Sequence, residues 1–313
     1  MDGTGALRKF EDPRITAKGE ERARVRLTRP QTLWFNTGTL CNIECAHCYI
    51  ESSPRNDRLV YLTLADVVEY LDQLEQRGWG GQEIGFTGGE PFMNPAMIDM
   101  ARAALERGYR VLILTNAMRP MMRPKMREGL SELHATHPGR MTLRISLDHW
   151  SEELHDAERG AGTFARTLAG MDWLRDAAIP MSVAGRTMWD ETEAEARAGY
   201  AALFADRGYR IDAEDPAATV LFPEMDEHAD VPEITTACWS ILGKAPDQVM
   251  CASSRMVVRR RGAEGPSVAA CTLLPYDMQF DMGRSLAEAE ADVWLNHRHC
   301  AKFCVLGGAS CSA

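Results

Sequence analysis

The sequence CNIECAHCYI, residues 41–50, places three cysteines within eight positions, with His47 between the second and the third. Four closely spaced cysteines are typical of a closed structural zinc site, and a pair is typical of thiol–disulfide exchange. Three thiols on one short loop indicate a metal centre with one coordination position left open, which a reactive site requires. The ligands would be Cys41, Cys45 and Cys48.

The composition is that of an ordinary globular chain: 313 residues, of which 45% are hydrophobic and 26% are charged. No apolar run approaches the roughly 20 residues that cross a bilayer. The N-terminal residues contain no apolar stretch typical of a signal peptide. We therefore expect a cytoplasmic protein without a membrane partner.

The charge argues against a nucleic-acid partner, because a net charge of −10 offers no concentrated excess of Lys and Arg. We interpret two basic runs, 22–29 and 255–261, as a solvated arm and the charged edge of a hairpin. Nine cysteines in a chain without an export signal point to metal binding or catalysis before disulfides.

Three regions follow from the pattern along the chain. Residues 1–30 form a polar, partly mobile arm, residues 31–222 alternate strand-like and helix-like segments, and residues 223–313 lose that alternation. Repeated βα units favour a parallel α/β barrel or a doubly wound sheet. The predicted strands are 31–37, 83–86, 111–114, 141–148, 181–187 and 218–222.

Two helix starts stand out. Thr63 is a favourable N-cap for a helix that ends at Gly78. Asn94 followed by Pro95 is the pattern of an N-cap and first helical residue, which predicts a helix from there to Gly108.

The predicted strand 141–148 alternates apolar residues with Thr142, Arg144, Ser146 and Asp148. One face can therefore pack against helices while the other carries polar groups. A closed eight-stranded barrel fills its interior with apolar side chains. A polar inner face predicts a more open barrel that holds a polar ligand.

The C-terminal region contains six of the nine cysteines. Residues 253–261 and 267–274 are predicted to form a β-hairpin, bracketed by Cys251 and Cys271. After a long connection at 223–250, this region is interpreted as a second, small cysteine-dependent module. Its tail adds Cys300, Cys304 and Cys311.

The three-cysteine loop and a second motif together resemble the radical S-adenosylmethionine (SAM) enzymes. The first motif is C-x3-C-x2-C after the first strand, and the second is Thr87-Gly88-Gly89-Glu90 after the next strand. Three thiolates can hold three irons of a 4Fe-4S cluster. The resemblance implies that SAM chelates the fourth iron, that the Gly88-Gly89-Glu90 motif binds the SAM amino group, and that the fold is a partial (β/α)6 TIM-like barrel.

The resemblance implies further cofactor contacts. Thr115 and Asn116 end the third strand, where SAM-contacting polar groups are expected, and Ser146 and Asp148 end the fourth, at the position of ribose-binding residues. The alternative for each is a polar residue bonded within its own loop.

Arg186 is expected to face the SAM carboxylate, and His47 to lie beside the adenine rather than to bind iron. His149 and His155 are open between surface and substrate positions.

The C-terminal cysteines resemble the twitch and SPASM extensions, which bind auxiliary Fe-S clusters. The match is imperfect, because Gly265 lies one residue farther from Cys271 than usual and a C-x3-C pair replaces C-x2-C. A twitch module with one cluster fits better than the full SPASM set. Structural zinc is the alternative, and Cys238 is either a buried cysteine or a substrate-side thiol. The implied ligands are Cys251, Cys271, Cys300 and Cys304, with Cys311 as a substitute for either of the last two.

The resemblance implies reductive cleavage of SAM to a 5′-deoxyadenosyl radical that abstracts hydrogen from a small-molecule or peptide substrate. An electron donor such as flavodoxin or ferredoxin would supply the electron, and the auxiliary cluster would assist oxidation or bond formation. One alternative is a non-catalytic Fe-S or zinc metalloprotein. Another is a peptide-maturing enzyme that uses a separate recognition protein, since the arm at 1–30 is shorter than a peptide-recognition domain.

Overall fold

The computed structural model describes residues 7–28, 30–78, 82–224, 226 and 228–307. Its strands are β1 (Arg24–Val25), β2 (Thr32–Asn36), β3 (Glu83–Thr87), β4 (Arg110–Thr115), β5 (Met141–Ser146), β6 (Met181–Thr187), β7 (Thr219–Pro223), β8 (Ser254–Val258), β9 (Ser267–Ala269) and β10 (Val293–Trp294). Its α-helices are α1 (Leu64–Gln76), α2 (Met97–Glu106), α3 (Pro124–Thr136), α4 (Glu152–Arg159), α5 (Thr163–Asp176), α6 (Glu193–Arg207) and α7 (Cys238–Leu242). Cys300–Leu306 forms a π-helical segment.

Strands β2 to β7 form a parallel sheet in sequence order, which confirms the predicted partial (β/α)6 barrel. The predicted hairpin is also present, as the antiparallel pair β8–β9. Strand β8 pairs in parallel with β2, so the hairpin extends the same sheet to eight strands. The division into domains at residue 222 stays a prediction, although the sheet continues across it. Among the described helices, none combines the length and the apolarity of a membrane span.

Two apolar clusters cover the two faces of the sheet. The outer cluster joins strand residues such as Ile113 and Leu143 to the helices. The inner cluster joins Trp34 and Leu112 to residues of the C-terminal region. Alternating side chains point to opposite faces of a strand, so Arg144, which is buried, lies on the face opposite Leu143. The predicted polar inner face is thus present on β5.

Helix starts follow local capping. Thr63 caps α1 as predicted, because its side chain accepts from the Asp66 N–H while the Asp66 carboxylate accepts from the Thr63 N–H. The predicted start of the next helix at Asn94-Pro95 is wrong. Asn94 instead forms a turn, in which its side-chain oxygen accepts from the Ala96 N–H, and α2 begins at Met97.

The described part of the N-terminal arm is docked, so its interpretation as partly mobile and solvated is wrong. Ala23 and Val25 belong to the inner cluster, and β1 pairs with β10. The Arg22 guanidinium is fully buried and bonds the Glu233 carboxylate at 2.6 Å. Arg255 was likewise interpreted as part of a charged hairpin edge, and it is buried.

We predict that Glu233→Gln lowers the free energy of unfolding by about 3–5 kcal/mol, because it leaves the buried Arg22 cation without a counter-charge. Urea unfolding followed by circular dichroism measures this change. The matched control is Asp230→Asn, since Asp230 bonds Lys9 in the same contact but on the exposed surface. An equal loss in both variants would contradict the prediction.

The same pair predicts the pH dependence of stability. Burial opposes ionisation of Glu233, but bonds from the Phe10 and Ala17 N–H groups and from Arg22 outweigh it and hold the pKa of this carboxyl below its ordinary value. Its contribution is therefore present above the unfolded-state pKa and is lost as the pH falls through the folded-state pKa. Glu233→Gln should flatten the acid limb of the stability profile.

Candidate functional site

A cavity lies at the carboxyl ends of the parallel strands, where barrel enzymes place their sites. The cavity and its open mouth together hold about 1020 Å³ of space that no protein atom occupies. Most of the residues predicted from sequence meet here. They are Cys41, Cys45, Cys48, Gly88, Gly89, Thr115, Asn116, Ser146, Asp148 and Arg186.

The glycines after β3 bring two loops into direct contact. Gly88 has φ +142°, in a region that favours glycine, and a Cβ on it would lie 2.5 Å from the Gly38 carbonyl oxygen. A Cβ on Gly89 would lie 2.3 Å from the Leu40 carbonyl oxygen. The Gly89 N–H donates to Gly38 O at 2.8 Å. The glycine loop therefore packs against the segment that leads into Cys41.

Glu90 is buried behind this loop and does not line the cavity. Its carboxylate accepts from the Phe92 N–H at 3.1 Å, from the Thr115 hydroxyl at 2.9 Å and from the Asn116 N–H at 2.9 Å. Burial raises the pKa of Glu90 to about 7 against these bonds. Glu90 thus joins the end of β3 to the end of β4, and the implied bond to the SAM amino group stays a prediction.

Asp148 forms a buried ion pair with Arg159, a cavity residue that sequence reasoning missed. Arg159 Nε and Nη2 donate to the two Asp148 oxygens at 2.7 and 2.9 Å. Burial opposes ionisation of Asp148, but Arg159 outweighs it and holds the pKa of this carboxyl below its ordinary value. Arg186 Nε lies 3.6 Å from Asp148. Arg159 ends α4, directly before Gly160. Its position in the sequence pattern does not distinguish it from a solvated arginine at the end of a helix.

Glu158 holds the cysteine loop in place. It is a second residue of the site that the sequence analysis did not predict. Its side chain is only 2% exposed. The carboxylate accepts from the His47 N–H at 2.9 Å and lies 2.7 Å from His47 Nδ1, while the Glu158 backbone oxygen accepts from the Ala46 N–H at 2.9 Å. Arg186 Nη2 donates to the His47 carbonyl at 2.9 Å. The turn between Cys45 and Cys48 is thereby fixed to α4 and β6.

The three histidines named from sequence lie outside the cavity lining. The His47 ring faces Glu158, and its placement beside adenine stays a prediction. His149 and His155 are both buried, which excludes a surface position. His149 lies between Ser151 and Glu191, at 2.8 Å from each. Burial lowers the pKa of His155 to about 4.

The thiols around the cavity suit an iron–sulfur cluster by their donor chemistry. Burial raises the pKa of Cys41 to about 12 and also raises that of Cys45, so bound cations are needed to hold them as thiolates. Soft thiolates favour iron–sulfur clusters or zinc. Within the described ranges, no three His, Cys, Asp or Glu side chains stand close enough for a single metal ion. The assignment to an iron–sulfur cluster therefore rests on the donor types and on the polar strand ends beside them.

The C-terminal cysteines form a second group. Cys251, Cys271, Cys300 and Cys304 line one small cavity, together with Leu273 and other mostly apolar residues. Leu273 also lines the first cavity, so this residue separates the two cavities. Cys311 lies outside the described residues. Cys238 is half-buried and takes a contact from the Thr235 N–H at 3.4 Å, away from both cavities.

Sequence comparison gives a family match and partial relatives. Residues 35–198, more than half of the chain, match the Radical SAM superfamily. The chain is 34% identical over 155 residues to the antilisterial bacteriocin subtilosin biosynthesis protein AlbA of Bacillus subtilis, covering 48% of this chain and 32% of that protein. It is 31% identical over 158 residues to an AdoMet-dependent heme synthase of Methanosarcina barkeri, covering 49% and 42%. These alignments span less than half of each relative.

Solved structures share the fold. SuiB of Streptococcus suis bound to S-adenosylmethionine superposes with a TM-score of 0.60 at 12% identity, over 82% of this chain and 63% of SuiB. Native anSMEcpe with bound AdoMet superposes with a TM-score of 0.59 at 14% identity, over 87% and 83%. At these identities the similarity shows the fold alone.

We predict that Glu158→Ala lowers iron retention at the three-cysteine loop about 10–100-fold, because the turn between Cys45 and Cys48 loses its clamp. The measurement is iron bound per chain after anaerobic reconstitution, in a background in which Cys251, Cys271, Cys300 and Cys304 are replaced by Ala.

Glu153→Ala is the control, since Glu153 lies on the same helix and is exposed. Equal iron content in the two variants would refute the clamp.

Proposed function

The chain belongs to the radical SAM superfamily, and from that premise we propose that it cleaves SAM reductively and removes a hydrogen atom from a bound substrate. It is a radical SAM enzyme whose cofactors are a 4Fe-4S cluster and SAM. The observation that carries the proposal is the meeting of Cys41, Cys45 and Cys48 with the polar strand ends around one cavity. That the protein is located in the cytoplasm stays a prediction.

Each wall of the cavity has a proposed task. The three cysteines would hold the cluster, and the backbone of Gly88 and Gly89, which lines the cavity, would contact the amino group of SAM. When bound, the cluster would supply electron transfer to SAM from a donor such as flavodoxin or ferredoxin. One electron would break the C–S bond of SAM, giving methionine and the 5′-deoxyadenosyl radical that takes hydrogen from the substrate.

The remaining polar side chains orient SAM. We assign Asn116 to a polar contact, Ser146 and Asp148 to the ribose and Arg186 to the carboxylate. Arg159 supports this wall, because its bidentate bond fixes the Asp148 carboxylate. Charged groups held by each other in a buried site need little reorganisation when SAM binds.

The substrate faces the opposite, apolar wall. Phe222 and Phe303 stack there with ring centroids 5.6 Å apart, and Leu273 lies beside them. An apolar wall excludes water from a reactive radical. We propose a peptide substrate, supported by one relative named for bacteriocin biosynthesis, AlbA, and by SuiB bound to its precursor peptide SuiA. A separate protein would deliver the peptide.

The second cysteine group is proposed to hold one auxiliary Fe-S cluster. The cavity that these cysteines line shares Leu273 with the cavity on the substrate side. The cysteines are Cys251, Cys271, Cys300 and Cys304. This position suits an acceptor for the electron left on the substrate after hydrogen removal. Net oxidation of the substrate would then follow.

The test of the proposed function is 5′-deoxyadenosine formation by the anaerobically reconstituted chain with SAM and dithionite. We expect cleavage by the wild type and none above background in Cys41→Ser, Cys45→Ser or Cys48→Ser, because each removes a cluster ligand. Cys238→Ser is the control and should retain cleavage. Cleavage that survives loss of Cys41, Cys45 or Cys48 would overturn the proposal.

We also predict that Gly89→Ala weakens SAM binding at least about tenfold, equivalent to ~1.4 kcal/mol, while iron content is retained. The added Cβ would lie 2.3 Å from Leu40 O and push the glycine loop away from the cysteine segment. Equilibrium dialysis with labelled SAM measures the change. Gly265→Ala is the matched control, because a Cβ there meets nothing within 4 Å.

A further inference from the structure

Arg255, on strand β8, carries a buried positive charge and is 1% exposed. Its guanidinium donates to backbone oxygens, those of Ala289 at 2.8 Å, Cys251 at 2.6 Å and Ser254 at 2.8 Å, with Ala291 O at 3.5 Å. None of these acceptors has a formal charge. In the part of the chain that the structure describes, no carboxylate forms an ion pair with it.

Two other buried arginines of this chain, Arg22 and Arg197, each have a carboxylate partner. Arg22 bonds Glu233, and Arg197 bonds Glu193 at 2.8 Å. An arginine cannot lose its proton inside a protein, so burying it without a counter-charge is strongly unfavourable. The arrangement around Arg255 therefore indicates a negative charge that a bound group brings.

The cysteines supply the place for that charge. The Cys251 carbonyl accepts directly from Arg255, and the Cys251 side chain lines the second cavity with Cys271, Cys300 and Cys304. The side chains of Cys251 and Cys271 are both close enough to act electrostatically on Arg255.

We propose that Arg255 is the buried counter-cation of an anionic iron–sulfur cluster held by these four cysteines, and that it raises the reduction potential of this cluster. The inference rests on the auxiliary site of the proposed function and not on SAM cleavage. Four thiolates give such a cluster a net negative charge, and reduction adds one more. A nearby fixed cation stabilises the reduced form more than the oxidised form.

The test uses the full chain with Cys41, Cys45 and Cys48 replaced by Ala, so that only the auxiliary cluster is present. The midpoint potential of this cluster is measured in the chain that keeps Arg255 and in two variants of it. Arg255→Gln removes the positive charge, and Arg255→Lys keeps it. We expect the equilibrium constant for reduction to fall at least tenfold in Arg255→Gln, equivalent to ~59 mV for one electron, and to change less than threefold in Arg255→Lys. Equal midpoint potentials in the three chains would overturn the proposal, as would an equal fall in potential in Arg255→Gln and Arg255→Lys. Zinc bound in place of iron and sulfide would overturn it too.

Thermal unfolding gives a second readout that is independent of activity. If Arg255 only held carbonyl groups, Arg255→Gln would lower Tm equally in the metal-free and the loaded chain. The proposal expects a larger loss in the loaded chain, because only there does the cation have a partner. An equal loss contradicts the proposal. SAM cleavage by the chain with intact Cys41, Cys45 and Cys48 is scored separately, so failure of the proposed function is distinguishable.

Discussion

The buried carboxylate of Glu158 ties the cysteine loop to the barrel, and the geometry of the candidate site depends on this contact. It accepts from the backbone and approaches the ring of His47, while Arg186 holds the His47 carbonyl from β6. The same helix, α4, ends in Arg159, which neutralises Asp148 at the end of β5. One short helix thus fixes the thiols on one side and the polar strand ends on the other.

The cavity has two chemically different sides. The cysteine loop and the polar strand ends form one side, and the C-terminal region contributes apolar residues to the other. Near the cysteine loop the strand ends carry polar groups. Thr115 and Asn116 bond Glu90, and Asp148 bonds Arg159. Towards the C-terminal region the wall is apolar and includes Phe222, Leu273 and Phe303. A polar cofactor and a substrate radical have these opposite requirements, since the first needs hydrogen bonds and the second needs exclusion of water.

Sequence patterns predicted the features that depend on local rules. Strand periodicity and the Thr63 cap gave the six parallel strands and α1, and cysteine spacing gave both thiol groups. Partners far apart in sequence were not predictable. Arg22 and Glu233, 211 positions apart, form a buried pair where composition indicated a solvated arm. In the sequence, Glu158, Arg159 and Arg255 cannot be told from charged surface residues. Only the fold brings them against the His47 N–H, the Asp148 carboxylate and the Cys251 carbonyl, respectively.

We propose that SAM binds in this cavity against a cluster held by Cys41, Cys45 and Cys48. The EPR spectrum of the reduced cluster tests this binding in the chain with Cys251, Cys271, Cys300 and Cys304 replaced by Ala. We expect that adding SAM changes the g values of this cluster, and that Gly89→Ala diminishes the change. A spectrum that is the same with and without saturating SAM would contradict it.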